Sequence, residues 1–152
     1  MRLARFFIYS SAVILLLTAG AKFIGSAGHE KILMERDPII GISIRNLILI
    51  AASTELAVAV VCFYDKEIWI PVTLIAWLST NLLGYRIIRA LIGYKKPCSC
   101  LGNLTDALHI SPETADTVMK IILTYLLIGS YATLFWLWRQ RKKNFPALSS
   151  AQ

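Results

Sequence analysis

The chain has 152 residues, of which 57% are hydrophobic and only 16% charged, with a formal net charge of +7 and a mean hydropathy of +0.62. Soluble domains hold apolar residues to about half of their composition, so an ordinary water-soluble domain is excluded and a bilayer is the solvent that fits. No glycine-rich phosphate loop, internal repeat, low-complexity tract or basic nucleic-acid-binding module is present, and the surplus positive charge reads as lipid-facing, with no nucleic-acid partner.

Four apolar stretches, residues 6–24, 44–64, 68–92 and 118–138, approach the roughly 20 residues needed to cross about 30 Å of hydrocarbon. Each is expected to be helical, because lipid offers no partner to an unsatisfied backbone group. The expected fold class is all-α: a polytopic membrane protein made of one four-transmembrane-helix bundle, with a basic tail over residues 139–152.

Span one follows Arg2 and Arg5 and contains Ala19-Gly20-Ala21, so it also resembles a secretory signal with a cleavage site. Retention is expected, since its apolar core is long and three more spans follow. The loop over 25–43 carries His29, Glu35 and Asp37. Span two is rich in small residues, Ala51, Ala52, Ser53, Ala57 and Ala59, which permit close helix approach. Its Cys62 lies about 30 Å of helix rise from the longer loops and is expected to be a small core residue.

Glu55 is the one acidic residue inside a span, and an ionisable group at that depth is a functional candidate. Counted from the Asp65-Lys66-Glu67 hairpin, it falls level with Trp77 on span three, with Thr80 and Asn81 about one turn higher and Ser10 and Ser11 of span one nearby. Two roles stay open: a hydrogen-bonded lock between helices, or a group that handles protons or faces a quinone. Arg86 stands too far up span three to reach it. It is expected to share a basic outer rim with Lys22, Arg45 and Arg89, neutralised by Asp37 and Glu35.

The most pointed chemistry follows span three, in Lys95-Lys96-Pro97-Cys98-Ser99-Cys100-Leu101-Gly102. Pro97 disfavours helix at the residue before it, and Gly102 supplies a turn, so the thiols are expected on a loop at the membrane surface. Cα atoms two residues apart lie about 5.5 to 7 Å from each other in extended chain, overlapping the separation a disulfide accepts. The ring is small and strained, which suits a bond that is made and broken rather than a staple. Lys95, Lys96, Arg86 and Arg89 favour the thiolate that does exchange, and also fit as headgroup anchors. A metal claw of Cys98, Cys100 and His109, with His29 as a fourth ligand, is the alternative, although the spacing is not a standard zinc arrangement. His109 also reads simply as the lead-in to a helix capped by Ser111 with Pro112 in its first turn.

Trp69, Trp136 and Trp138 read as interface aromatics, and Arg139, Arg141, Lys142 and Lys143 as anchors to anionic headgroups. Four spans place both termini on one side. By lysine and arginine number alone, the termini and hairpin hold seven and the other side nine. The dense C-terminal cluster assigns the termini to the cytoplasm of a bacterial inner membrane, which turns Cys98 and Cys100 to the oxidising side.

Three segments together, "TAGAKF" ending span one, "STELAVAVV" in span two and "CSCLG" after span three, resemble the MauE/DoxX family of redox-associated membrane proteins. The likeness covers roughly residues 5–138. It implies a four-helix membrane bundle that helps handle disulfides outside the cytoplasm, in the manner of MauE-type proteins that accompany methylamine dehydrogenase maturation and travel with thioredoxin-like partners. Cys98 and Cys100 match the family pair; Leu101 stands where Phe is common. The expected function is exchange between Cys98/Cys100 and a periplasmic thioredoxin-like or client protein, with quinone as a possible cofactor. A non-catalytic assembly factor is the alternative. One outward cysteine pair excludes a complete internal relay, which generally uses two.

Overall fold

The computed structural model describes residues 2–27, 31–34, 36–37, 39–65, 67–93 and 112–149. It is all-helical in its regular structure: α1 (Arg2–Ser26), a single turn α2 (Lys31–Met34), α3 (Ile44–Tyr64), α4 (Trp69–Leu91) and α5 (Pro112–Ser149). The four long helices correspond to the four apolar stretches. Three of them, α1, α3 and the Asp116–Lys142 part of α5, are long and apolar enough to cross a membrane. The chain is a helical membrane protein. α4 is of similar length, 23 residues, but carries Thr73, Ser79, Thr80, Asn81, Arg86 and Arg89 among its apolar residues. α5 runs from Pro112 through the stretch read as a basic tail as far as Ser149.

Neighbours alternate in direction. Tyr9 of α1 meets Phe63 of α3 at 6.2 Å between ring centroids, and Thr80 of α4 reaches Tyr131 of α5 at 3.0 Å. α1 packs most extensively on α3, and α4 on α5, whereas α3 and α4 touch less despite their short hairpin. A common core joins the two pairs, made of Ala12 and Leu15 of α1, Val58, Ala59 and Cys62 of α3, Val72, Ile75 and Leu78 of α4, and Leu126 of α5. Of the small residues read in span two, Ala52 and Ala59 are fully buried, as is Ala12 of α1, and let the α1 and α3 backbones come close, whereas Ser53 and Ala57 are exposed.

Local chemistry sets the element ends. Ser43 begins α3 as its N-cap, its hydroxyl accepting from the Asn46 amide at 3.4 Å. Asp65 ends that helix, and its carboxylate accepts from the Glu67 amide at 2.9 Å to form the hairpin turn. Beyond Leu91 the chain turns through Gly93, whose φ of 73° suits glycine. At the opposite end of the bundle, Arg141 lies over the Trp69 ring at 4.6 Å and Lys142 over Trp138 at 4.3 Å. These are the aromatic and basic anchors of one membrane interface.

The seam between α1 and α5 depends on a missing side chain. Phe7 lies against Gly129, where an added Cβ would overlap the phenyl ring, and the same ring contacts Tyr125 at 5.7 Å between centroids. Gly129→Ala is expected to lower stability by about 1 to 3 kcal/mol through overpacking, measured as a lower unfolding temperature in detergent. Combining it with Phe7→Leu should recover part of that loss. An unchanged midpoint in Gly129→Ala would show that the contact does not constrain the seam.

Candidate functional site

One end of the bundle gathers the C-terminal turns of α1 and α4, the N-terminal turns of α3 and α5, and residues 36–37 and 39–43 before α3. Near it, in the interior, lies a buried ion pair. Lys22 of α1 donates through Nζ to Oε1 of Glu55 on α3, with the side chains 5% and 2% exposed. Thr18, one turn below Lys22, donates from Oγ1 to Oε2 of the same carboxylate at 3.2 Å. Thr18 and Lys22 are four residues apart and so share a helix face. Together they hold both carboxylate oxygens.

This corrects two expectations. Lys22 is not on the outer rim: α1 continues a full turn beyond it to Ser26, so its stem descends along the helix into the bundle. The neighbour level with Glu55 on α1 is Thr18, not Ser10 or Ser11, because the antiparallel register that sets Tyr9 beside Phe63 puts residue 55 opposite residue 18. Ser10 instead bonds the Tyr125 hydroxyl at 2.8 Å. The Oγ of Ser11 is buried without a hydrogen-bond partner among the described residues. The signal for the true partner was present: a lone acid in span two, and a lone lysine one turn from the end of span one.

A second cluster caps the first. Asp37, 3% exposed, accepts from the Tyr85 hydroxyl of α4 at 2.5 Å, and from the Ile39 and Ile40 amides at 2.9 and 3.1 Å. Its own amide bonds Ile42 O, and Gly41, at φ 76°, closes the turn back to Asp37 O. The loop is thus a tight fold pinned onto α4, with Leu33 of α2 packed against Ile44 and Ile48. Arg89 lies within electrostatic reach of Asp37 and Tyr85, in line with an Asp37 role in neutralising the rim. Glu35 lies outside the described residues.

Arg86 pairs with Asp116 of α5 at 3.5 Å, and Asp116 also holds Lys120 at 2.7 Å. Asn81 donates to Trp77 O at 2.8 Å and lines the groove between α3 and α4. Two cavities border Lys22. A small one of about 60 Å³ is walled by Glu55, Lys22, Tyr85 and Arg86 together with apolar side chains of α5. A larger groove of about 410 Å³ lies between α3 and α4. Cys98, Cys100, Lys95, Lys96, His29 and His109 lie outside the described residues, in segments 28–30 and 94–111. Among the described residues no group of three or more metal-ligating side chains assembles.

Comparison with known proteins finds no matching family model, curated protein or solved structure.

Lys22→Met leaves the Glu55 carboxylate buried beside Thr18 alone and should cost about 3 to 5 kcal/mol, whereas Lys22→Met combined with Glu55→Leu should recover most of it. Equal unfolding temperatures for the single and double variants in detergent would contradict the pairing. For Asp37, burial pulls the carboxyl up, but the Tyr85 hydroxyl, the Ile39 and Ile40 amides and the Arg89 charge outweigh it and hold it below the ordinary 3.8. The folded state therefore binds this proton less readily than the unfolded chain. Its contribution is complete above about pH 4 and is lost as pH falls through the lowered value. Unfolding midpoints taken from pH 7 to pH 3 should fall less steeply in Asp37→Asn than in the natural protein.

Proposed function

We propose that this protein handles thiols and disulfides at the extracytoplasmic face of a bacterial inner membrane, with Cys98 and Cys100 exchanging with a thioredoxin-like or disulfide-containing client. The supporting observation is where the chain leaves the bundle. α4 ends at Leu91, five residues past Arg86, and α5 begins at Pro112 beside Asp116, so the segment bearing both cysteines joins the bundle at the end that collects Lys22, Asp37, Tyr85, Arg86 and Arg89. Lys95 and Lys96, next to the pair in sequence, add positive charge, which favours the attacking thiolate.

In this reading all four long helices span the membrane, and the anchors Trp69, Trp138, Arg141 and Lys142 mark the cytoplasmic interface. The resemblance to the MauE/DoxX family, carried by three short motifs, points the same way. The exchange step is balanced by the partner: a thiolate of the pair attacks the partner disulfide, one partner sulfur leaves as a thiolate, and the second cysteine resolves the mixed disulfide. The partner is reduced as the pair is oxidised, and the reverse direction uses the same atoms.

Acid-quench alkylation in cells tests the proposal. A mixed population of oxidised and reduced Cys98/Cys100 is expected, together with a trapped mixed disulfide in Cys100→Ser or Cys98→Ser and access to a membrane-impermeant maleimide from outside. Cysteines that stay fully reduced, or that react only from the cytosol, would sink it. Retained cellular function in the double serine variant would favour the assembly-factor alternative.

A further inference from the structure

The groove between α3 and α4 matches in volume a cavity at the hairpin end, about 420 Å³ beside Arg5 and Asp65, but is far more apolar in its lining. Its walls are Leu47 and Ala51 of α3 and Trp77 and Leu78 of α4, interrupted by the polar Thr54 and Asn81, and its upper end is closed by Lys22, Asp37, Tyr85 and Arg89. Ile50 and Trp77 on its rim are more than half exposed, so it opens sideways, where lipid meets the bundle. A concave, mostly apolar site of about 410 Å³ with a few converging polar groups has the size and make-up of a small-ligand pocket.

The polar end specifies the ligand head. An ammonium carries three N–H donors, and among the described residues Lys22 has one hydrogen-bond partner, Glu55. The Lys22 side chain is 5% exposed and lines the groove, so an acceptor that reaches its ammonium meets unused donor capacity in a dry setting. The charges around it balance: Lys22 and Arg89 are matched by Glu55 and Asp37. A phosphate or carboxylate would add uncompensated negative charge beside two buried carboxylates, whereas a neutral carbonyl would not. An aromatic face, Trp77, stands on the wall below, suited to a flat ring.

We infer that this groove binds a lipid-soluble quinone, its ring carbonyl taking a hydrogen bond from Lys22 and its apolar tail leaving between α3 and α4. Binding stands on the groove alone; use of the quinone as electron acceptor rests on the thiol reading of the preceding subsection. In that use, oxidation of the Cys98/Cys100 dithiol to a disulfide releases two electrons and two protons, and the quinone takes up both to become the hydroquinone.

The full chain in phosphatidylcholine nanodiscs, titrated with a decyl-chain benzoquinone and followed by tryptophan quenching and by quantitation of retained quinone, tests the site. Saturable binding is expected, weakened about tenfold or more in Ala51→Phe, which fills the groove, and in Lys22→Met/Glu55→Leu, which removes the donor without stranding a charge. Unfolding midpoints report whether each variant is folded, and Leu47→Trp replaces any that is not. Affinity equal in the natural protein and the folded groove variants, partitioning without saturation, or a retained phospholipid that quinone does not displace would overturn the inference. Binding that persists in Cys98→Ser/Cys100→Ser supports the groove even if the cysteines prove permanently reduced, an outcome that removes only the thiol reading.

Discussion

The Lys22–Glu55 ion pair is the constraint around which the bundle is arranged. A charge surrounded by apolar side chains and lipid is costly unless it is paired and hydrogen-bonded, so α1 and α3 cannot slide or rotate against each other without stranding one of them. Thr18 narrows the choice further, because both carboxylate oxygens then face the same side of α1. Small residues in α3 bring the two backbones close enough for this to happen. Without that approach a lysine stem, itself about 6 Å long, would not bridge the one-turn offset between residues 18 and 22.

From that register the rest of the polar chemistry follows to one end. The loop after α1 folds back on itself through Asp37 and is pinned by Tyr85 to α4, and α4 in turn reaches α5 through Arg86 and Asp116. Each of the four long helices thus contributes a charged or hydroxyl-bearing residue to the same region, whereas the opposite end is held by tryptophans under basic side chains. The molecule is polarised along its axis. Chemistry and anchoring are kept at opposite interfaces.

The looser contact between α3 and α4 gives the bundle its lateral opening. Helices joined by a tight hairpin are usually close neighbours, but here the α1–α3 and α4–α5 pairs pack better than the hairpin pair does. The gap between them runs up to the ion pair and the Asp37–Tyr85 contact. A buried charge pair that borders a groove open to lipid is placed to do more than hold helices together, because a membrane-soluble ligand can reach it without crossing water.

The apolar composition and length of four segments determined the helical membrane class and, within a few residues, the limits of α3 and α4, since backbone satisfaction in lipid leaves the chain no other regular choice. Composition likewise singled out Glu55 as the group to explain, and the Cys98-x-Cys100 pair as the chemistry to test. Residue counting from a hairpin could not tell which partner Glu55 would find: it missed by about two turns on α1, because helix register is decided by side-chain packing across the interface and not by distance along the chain. Lys22 reads as part of a basic outer rim in sequence for the same reason. Only the tertiary arrangement turned its stem inward, where a carboxylate on another helix is the one environment in which that ammonium can be buried.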